Sequence, residues 1–488
     1  MPKKLIIKQS IEMPAPRAVD GFGGLVVLYD QPASLKRAPY GEVLRTRKRS
    51  DNFATDLPNS RATRASVVEI SPAATPFELL TLGRKIAAQQ YVTDPKEIAI
   101  VVAGLDAATG ARAVEAVVAG LLAAREPLPS FKKEPDAAKQ LARIQIHGLR
   151  KELDLARTLA EAEGNLLARS LTQLPANKLT PRLYRQKAAA LARREGWEFK
   201  FYGVPTLQRM GAGAFLAVAQ GSPEADAGIV HLRYTPRGAR SAPRISLVGK
   251  GICFDTGGTN LKPARHMHGM HQDMAGSAAV LGLLLALTRL RAPFGVDAWL
   301  ALAQNHIGPK AYKQNDVVTA MNGITIEVIH TDAEGRMVLA DALALASAKK
   351  PALLVDFATL TGSMIGALGT AYSGALTNRD EFIAPIMIAG KESGERVWPF
   401  PMDKDFDAQL ESEVADIKQC TLESDADHIL GARFLGKFVA QEVPWIHVDI
   451  ASSAHKGGLA HVPTEVTGFG VRFGLHLLLD AGIWGDRP

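Results

Sequence analysis

Apolar positions along this chain fall into short runs bounded by glycine or polar residues and longer stretches with helical spacing. Residues 24–29 and 98–103 read as strands, whereas 76–89 and 107–124 repeat apolar positions every three or four residues and read as helices. This alternation predicts a small α/β domain. A Pro-rich segment, 126–135, follows. From about 136 to 171 the pattern becomes charged and amphipathic, with Ala142-Arg-Ile-Gln-Ile-His-Gly-Leu-Arg-Lys-Glu-Leu153 inside it, which predicts a long connecting helix. Beyond it, strands are predicted at 228–234, 245–254, 296–303, 324–329, 353–359 and 445–450, and helices after Asp273, Arg336 and Leu430. Strands this continuously apolar predict a central mixed sheet, largely buried. The expected architecture is therefore α/β in two parts: an N-terminal domain with its linker helix, 1–165, and a larger domain, 166–488.

Composition narrows the setting. The 488 residues exceed the usual single-domain range and include only Cys253 and Cys420, too few for a disulfide framework. The N-terminal apolar run ends after three residues, too short for a signal-peptide core, and the longest low-charge stretch, 275–287, is shorter than a membrane span. A soluble cytoplasmic protein with no membrane partner is the expectation. Charge is uneven: residues 1–50 hold ten Lys/Arg against four acids, which accounts for six of the net +7. The simpler reading is a solvated basic loop; the sharper one is a nucleic-acid contact around Arg45-Thr-Arg-Lys-Arg49, although no aromatic residues interleave with that run.

The richest chemistry lies in Thr331-Asp-Ala-Glu-Gly-Arg336, between an apolar strand pattern and an apolar helix pattern. In an extended chain Asp332, Glu334 and Arg336 would point the same way. Two neighbouring carboxylates repel unless a proton or cation separates them, so the segment asks for a metal ion and further ligands. A second cluster supplies candidates. Val248-Gly-Lys-Gly-Ile-Cys-Phe-Asp-Thr-Gly-Gly-Thr-Asn-Leu-Lys-Pro263 places Lys250 inside an apolar strand, Asp255 at its end and Lys262 after a glycine turn. Lys250 can serve as a neutral amine ligand, or bury its stem while its head reaches solvent. Asp273 opens a helix of small residues; it is either a cap or a further ligand brought close to the sheet. Four acids and one amine suit two divalent ions. His266, His268 and His271 lack the spacing of a helical ligand pair and read as loop histidines.

These two segments, with Asn315-Asp-Val-Val-Thr-Ala-Met, Ala358-Thr-Leu-Thr-Gly, Ala415-Asp-Ile-Lys, His447-Val-Asp-Ile-Ala and Thr467-Gly-Phe-Gly-Val-Arg, resemble the leucyl aminopeptidase family of dinuclear metallopeptidases (M17). The resemblance covers about 170–488. It implies a small macro-like N-terminal domain, a catalytic dinuclear metallopeptidase domain and a homohexamer that acts on peptide substrates. It also implies that Asp255 and Glu334 bridge two ions, Lys250 and Asp273 complete one site and Asp332 completes the other. The ions expected are manganese or zinc, with magnesium and cobalt as further candidates. Lys262 and Arg336 would be catalytic, Arg336 by holding a bicarbonate that shuttles a proton. Met270, Thr359, Gly362, Ala451 and Ala454 would shape a side-chain pocket suited to Leu or Met, and Leu360 and Gly362 would contact the peptide through their backbones. Four positions depart from the family pattern: Thr256 for Ser, His271-Gln-Asp273 for Lys-x-Asp, Ala275 for Gly and His330 for Asn. The alternatives weighed against a peptidase are a DNA-binding hexamer and a catalytically silent homologue.

Overall fold

The computed structural model describes residues 5–48, 50–238, 243–423 and 425–483, so Lys3, Lys4 and Arg49 of the basic segment lie outside the described residues. The fold is α/β with mixed sheets. Two compact units form: the described residues up to Ala162 together with Lys456–Glu465, and Glu163–His455 with the residues from Val466 onward.

In the first unit six strands, β1 (Ile6–Ser10), β2 (Gly24–Tyr29), β3 (Asn52–Asp56), β4 (Arg64–Glu69), β5 (Glu97–Ala103) and β6 (Arg143–His147), form a sheet in the order β1-β6-β5-β2-β4-β3. Helices α1 (Pro76–Gln90) and α2 (Ala107–Arg125) pack on it as the apolar spacing predicts. Strand β6 corrects the expected long helix. Ile144 and Ile146 are buried while Arg143, Gln145 and His147 are only partly so, a period of two that pairs with β1 and β5. The charges that suggested a helix simply alternate with apolar residues across a strand. The helix begins later, as α3 (Ala156–Thr172).

The second unit is built on β7 (Glu198–Gly203), β8 (Gly228–Tyr234), β9 (Arg244–Asp255), β10 (Gly295–Asn305), β13 (Leu353–Ala358), β14 (Ser373–Thr377), β15 (Val397–Pro399) and β17 (Trp445–Asp449). They are ordered β15-β14-β17-β13-β9-β10-β8-β7. The central strands β17, β13, β9 and β10 run parallel and are buried almost throughout. Three short strands, β11 (Val317–Thr319), β12 (Thr325–Glu327) and β16 (Ile417–Lys418), make a separate sheet. The predicted strand at 324–329 is thus three residues long and stands outside the central sheet. Helix α4 (Ala275–Arg289) lies against β9, where its small residues permit unusually close approach: a Cβ on Gly249 would stand 2.4 Å from Ser277 Cα.

Ala107–Arg125 and the segment Ala264–Arg289 are long and apolar enough to cross a membrane by composition alone. Most of each apolar window, 61% and 83%, is buried inside the fold, which is how core helices behave.

Candidate metal centre

The polar cluster sits at the carboxyl ends of β9 and β13, where parallel sheets commonly build sites. Strand β9 ends at Asp255, and the chain turns at once through Gly257 (φ +86°), where a Cβ would meet Asn260 O at 2.4 Å. Asp255 Oδ1 accepts hydrogen bonds from Gly257 N and Asn305 Nδ2, both at 2.8 Å, which aims Oδ2 at Lys262 Nζ, 2.9 Å away. Lys262 also pairs with Asp332.

Helix α5 (Glu334–Ser347) starts at Glu334, so 332–336 is not extended and its three side chains diverge. The reason is local: an acid in the first turn suits the helix dipole, and the apolar 3.6-residue spacing that follows is already in force. Glu334 turns inward, where its Oε1 lies 2.9 Å from Lys250 Nζ. Arg336 turns elsewhere and donates through Nη2 to both carboxylate oxygens of Asp427. Asp341, farther along α5, stays out of the cluster because it accepts the backbone N–H groups of Phe215 and Met321.

Lys250 resolves the anomaly of a lysine in a buried strand. Its ammonium is 2.8 Å from Asp273 Oδ1 and donates to the Thr359 carbonyl at 2.9 Å. Thr359 Oγ1 also donates to Asp273 Oδ1, at 2.7 Å. Burial opposes the charge on Lys250, but Asp273, Glu334 and Asp255 outweigh it and hold its pKa above the usual lysine value. The acids feel the converse. Burial, followed by mutual repulsion that the lysines partly offset, raises Asp273 and Glu334 to about 7 and Asp332 to about 6.

Oxygens of Asp255, Asp273 and Glu334 all lie within 4.8 Å of one another. Asp332 joins them through Lys262 rather than directly. Asp273 Oδ2 and Glu334 Oε2 are buried and accept no hydrogen bond from the described residues; Glu334 Oε1, though close to Lys250, lacks hydrogen-bond alignment with it. Buried carboxylate oxygens without donors are costly unless a cation meets them. The donor set therefore fits divalent ions: hard oxygens converge, and two ammonium groups already balance part of their charge.

Two residues that shape the centre gave no signal in the sequence. Asn305 orients Asp255 and also donates to the Thr331 carbonyl; Gln419 accepts the N–H groups of Ile329 and His330 and donates to the Ala333 carbonyl. Both come from distant stretches with no local pattern to mark them. The expected pocket residues lie in neighbouring connections: Met270 in a turn before Asp273, Thr359, Leu360 and Gly362 after β13, and Ala451 and Ala454 after β17. Leu360 N donates to Asp449 Oδ1 at 3.0 Å. Cys253 and Cys420 are buried, and burial raises both thiols, so neither offers a thiolate. In the basic segment Arg45 pairs with Glu42, Lys48 with Glu69, and Arg47 donates to Thr55.

A model described as "Cytosol aminopeptidase family, catalytic domain" matches residues 166–474. A probable cytosol aminopeptidase of Syntrophobacter fumaroxidans is 43% identical over 328 residues, 67% of this chain and 64% of that protein, so the match spans slightly under two thirds of that relative. One from Persephonella marina is 34% identical over 80% of this chain and 78% of its own. A solved structure of a mutant tomato leucine aminopeptidase superposes with a TM-score of 0.83 at 28% identity, covering 98% of this chain and 97% of that one.

Proposed function

The chain belongs to the cytosol aminopeptidase family, and from that premise we propose that it is a metal-dependent aminopeptidase releasing N-terminal residues, Leu- or Met-like ones preferred, from peptides. The observation that carries the reading is the buried trio Asp255, Asp273 and Glu334, with carboxylate oxygens left without donors. Asp255 and Glu334 would be shared by two ions, Lys250 and Asp273 would hold one, and Asp332 the other. Manganese or zinc suits this oxygen-rich set with one amine, magnesium and cobalt being alternatives. When bound, such ions supply a nucleophile by lowering the pKa of water and polarise the scissile carbonyl.

The chain's own residues do the rest. Lys250, whose ammonium the ion-free cluster holds charged, would act as a ligand only after an incoming ion displaced its proton to solvent. Lys262, which pairs with Asp255 and Asp332, would donate a hydrogen bond to the oxyanion formed on the scissile carbonyl. Met270, Thr359, Gly362, Ala451 and Ala454 would receive the first side chain. Because the Leu360 N–H is already given to Asp449, a main-chain contact from Leu360 to the peptide would run through its carbonyl. We place the enzyme in the cytoplasm as a homohexamer. DNA binding through residues 1–50 is a second reading that rests on charge alone, and a salt-insensitive or absent gel shift would remove it.

Hydrolysis of leucine p-nitroanilide tests the main reading. Activity that appears with manganese or zinc and disappears with chelator is expected; a folded protein inactive with Mn, Zn, Mg and Co alike would end it.

A further inference from the structure

Arg336 leaves the first turn of α5 two residues beyond Glu334 and is 2% exposed. A guanidinium so buried demands a counter-charge. Nη2 donates to Asp427 Oδ1 and Oδ2 at 2.8 and 2.9 Å, and Nη1 donates to the Gln419 carbonyl at 2.9 Å. Nε is the guanidinium nitrogen without a partner among the described residues. Asp427 opens helix α6 (Asp427–Gly436), and its side chain keeps 23% exposure where that of Arg336 keeps 2%. The carboxylate thus lies between a buried cation and solvent.

The bicarbonate implied by the family resemblance would need two adjacent guanidinium donors for a planar, bidentate grip. Each terminal nitrogen already donates, Nη2 to both oxygens of Asp427, so among the described residues no adjacent pair of guanidinium nitrogens is left wholly free for the added anion, and the residues present do not fit it. We propose that Asp427 is itself the anion at Arg336, a carboxylate built into the chain, and that the protein works without bound bicarbonate. The two groups are alike in the relevant respects: each is planar and spreads one negative charge over its oxygens. Gln419 strengthens the assignment, because its carbonyl positions the guanidinium while its side chain fixes the segment carrying Asp332. The catalytic half of this proposal rests on the aminopeptidase reading; the anion-binding half stands independently.

The test uses the metal-loaded full-length protein with 13C-labelled bicarbonate, read by broadening of the 13C resonance, beside leucine p-nitroanilide hydrolysis in CO2-stripped buffer. The wild-type protein should show no saturable broadening, and its rate should change by less than about twofold on stripping. Asp427→Ala should gain saturable broadening that a further Arg336→Met substitution removes. Its rate in stripped buffer should fall about 100-fold and recover at least about tenfold with bicarbonate, the range expected for one acid–base or charge-stabilising group. Broadening by the wild type that Asp427→Ala leaves unchanged, a wild-type rate that collapses on stripping, or an Asp427→Ala variant indifferent to bicarbonate would each overturn the proposal. Should Asp427→Ala fail to fold, Asp427→Asn, of nearly equal volume, is read in its place. Absence of activity in every folded protein would count against the aminopeptidase reading while leaving the broadening result to decide the anion site.

Discussion

Gly335 and Lys250 occupy one another's space: a Cβ on Gly335 would stand 2.6 Å from Lys250 Cε and 2.7 Å from Nζ. The missing side chain therefore lets a buried strand lysine reach Glu334 and Asp273. Gly335→Ala should leave the fold intact, since alanine favours the helix by about 1 kcal/mol. It should displace the ammonium and weaken manganese binding about tenfold or more, as loss of a well-placed supporting group does. Equilibrium dialysis with metal analysis checks this, and unchanged affinity would remove Lys250 from the proposed ligand set.

Glu334 and Arg336 stand two residues apart yet face different partners, Lys250 and Asp427. Glu334→Ala should abolish activity and reduce loading from two ions to one or fewer. Arg336→Ala should keep both ions and lower kcat by about 100-fold, the usual cost of one charge-stabilising group. Metal content and turnover measured on the same samples decide it; equal metal loss in both variants would contradict the assignment.

The contrast between these neighbours shows what the sequence made legible. Asp-Ala-Glu-Gly-Arg announced its chemistry because acids and a cation stood between apolar elements, and Lys250 and Asp255 were conspicuous in a strand where charge is rare. The direction each side chain takes was not legible, because it depends on where α5 begins, and an extended reading of 332–336 puts Arg336 on the wrong side. Asp427 was invisible for another reason: an acid at a helix start is commonplace, and its partner lies 91 residues earlier. Strand β6 was misread because Ile144 and Ile146, two apolar residues in a charged stretch, fit either period.

Close approach of α4 to the sheet brings Asp273 into the cluster, and Gly276 makes it possible. A Cβ there would meet the Phe357 carbonyl oxygen at 2.1 Å and its carbon at 2.8 Å, both backbone atoms of β13 that cannot swing away. Gly276→Ala should destabilise the protein by about 2–3 kcal/mol, as overpacking of a core does. Urea unfolding of the chelator-treated protein measures the loss without contributions from bound metal; a change under about 0.5 kcal/mol, the level of an ordinary surface substitution, would show that the two elements can separate.

Burial, with mutual repulsion, raises Asp273 and Glu334 to about 7 and Asp332 to about 6, against 3.8, 4.5 and 3.8 ordinarily. Between those values and about 7 the ion-free folded protein holds protons that the unfolded chain has released. Stability must then fall as pH rises through that window, the opposite of a salt-bridged carboxylate. On the proposed reading divalent ions would bind the ionised, folded cluster, so they should reverse the trend, with manganese affinity rising from about pH 5 to about pH 8. Chelator-treated protein should lose a few degrees in Tm across that range, with a smaller loss in Glu334→Gln, which cannot ionise, and saturating manganese should remove it. If ion-free wild type and Glu334→Gln fall equally, the proton held at low pH is not on this cluster. The carboxylates would then be ionised against Lys250 and Lys262 throughout, and the two lysines, rather than protons, would be what an incoming ion displaces.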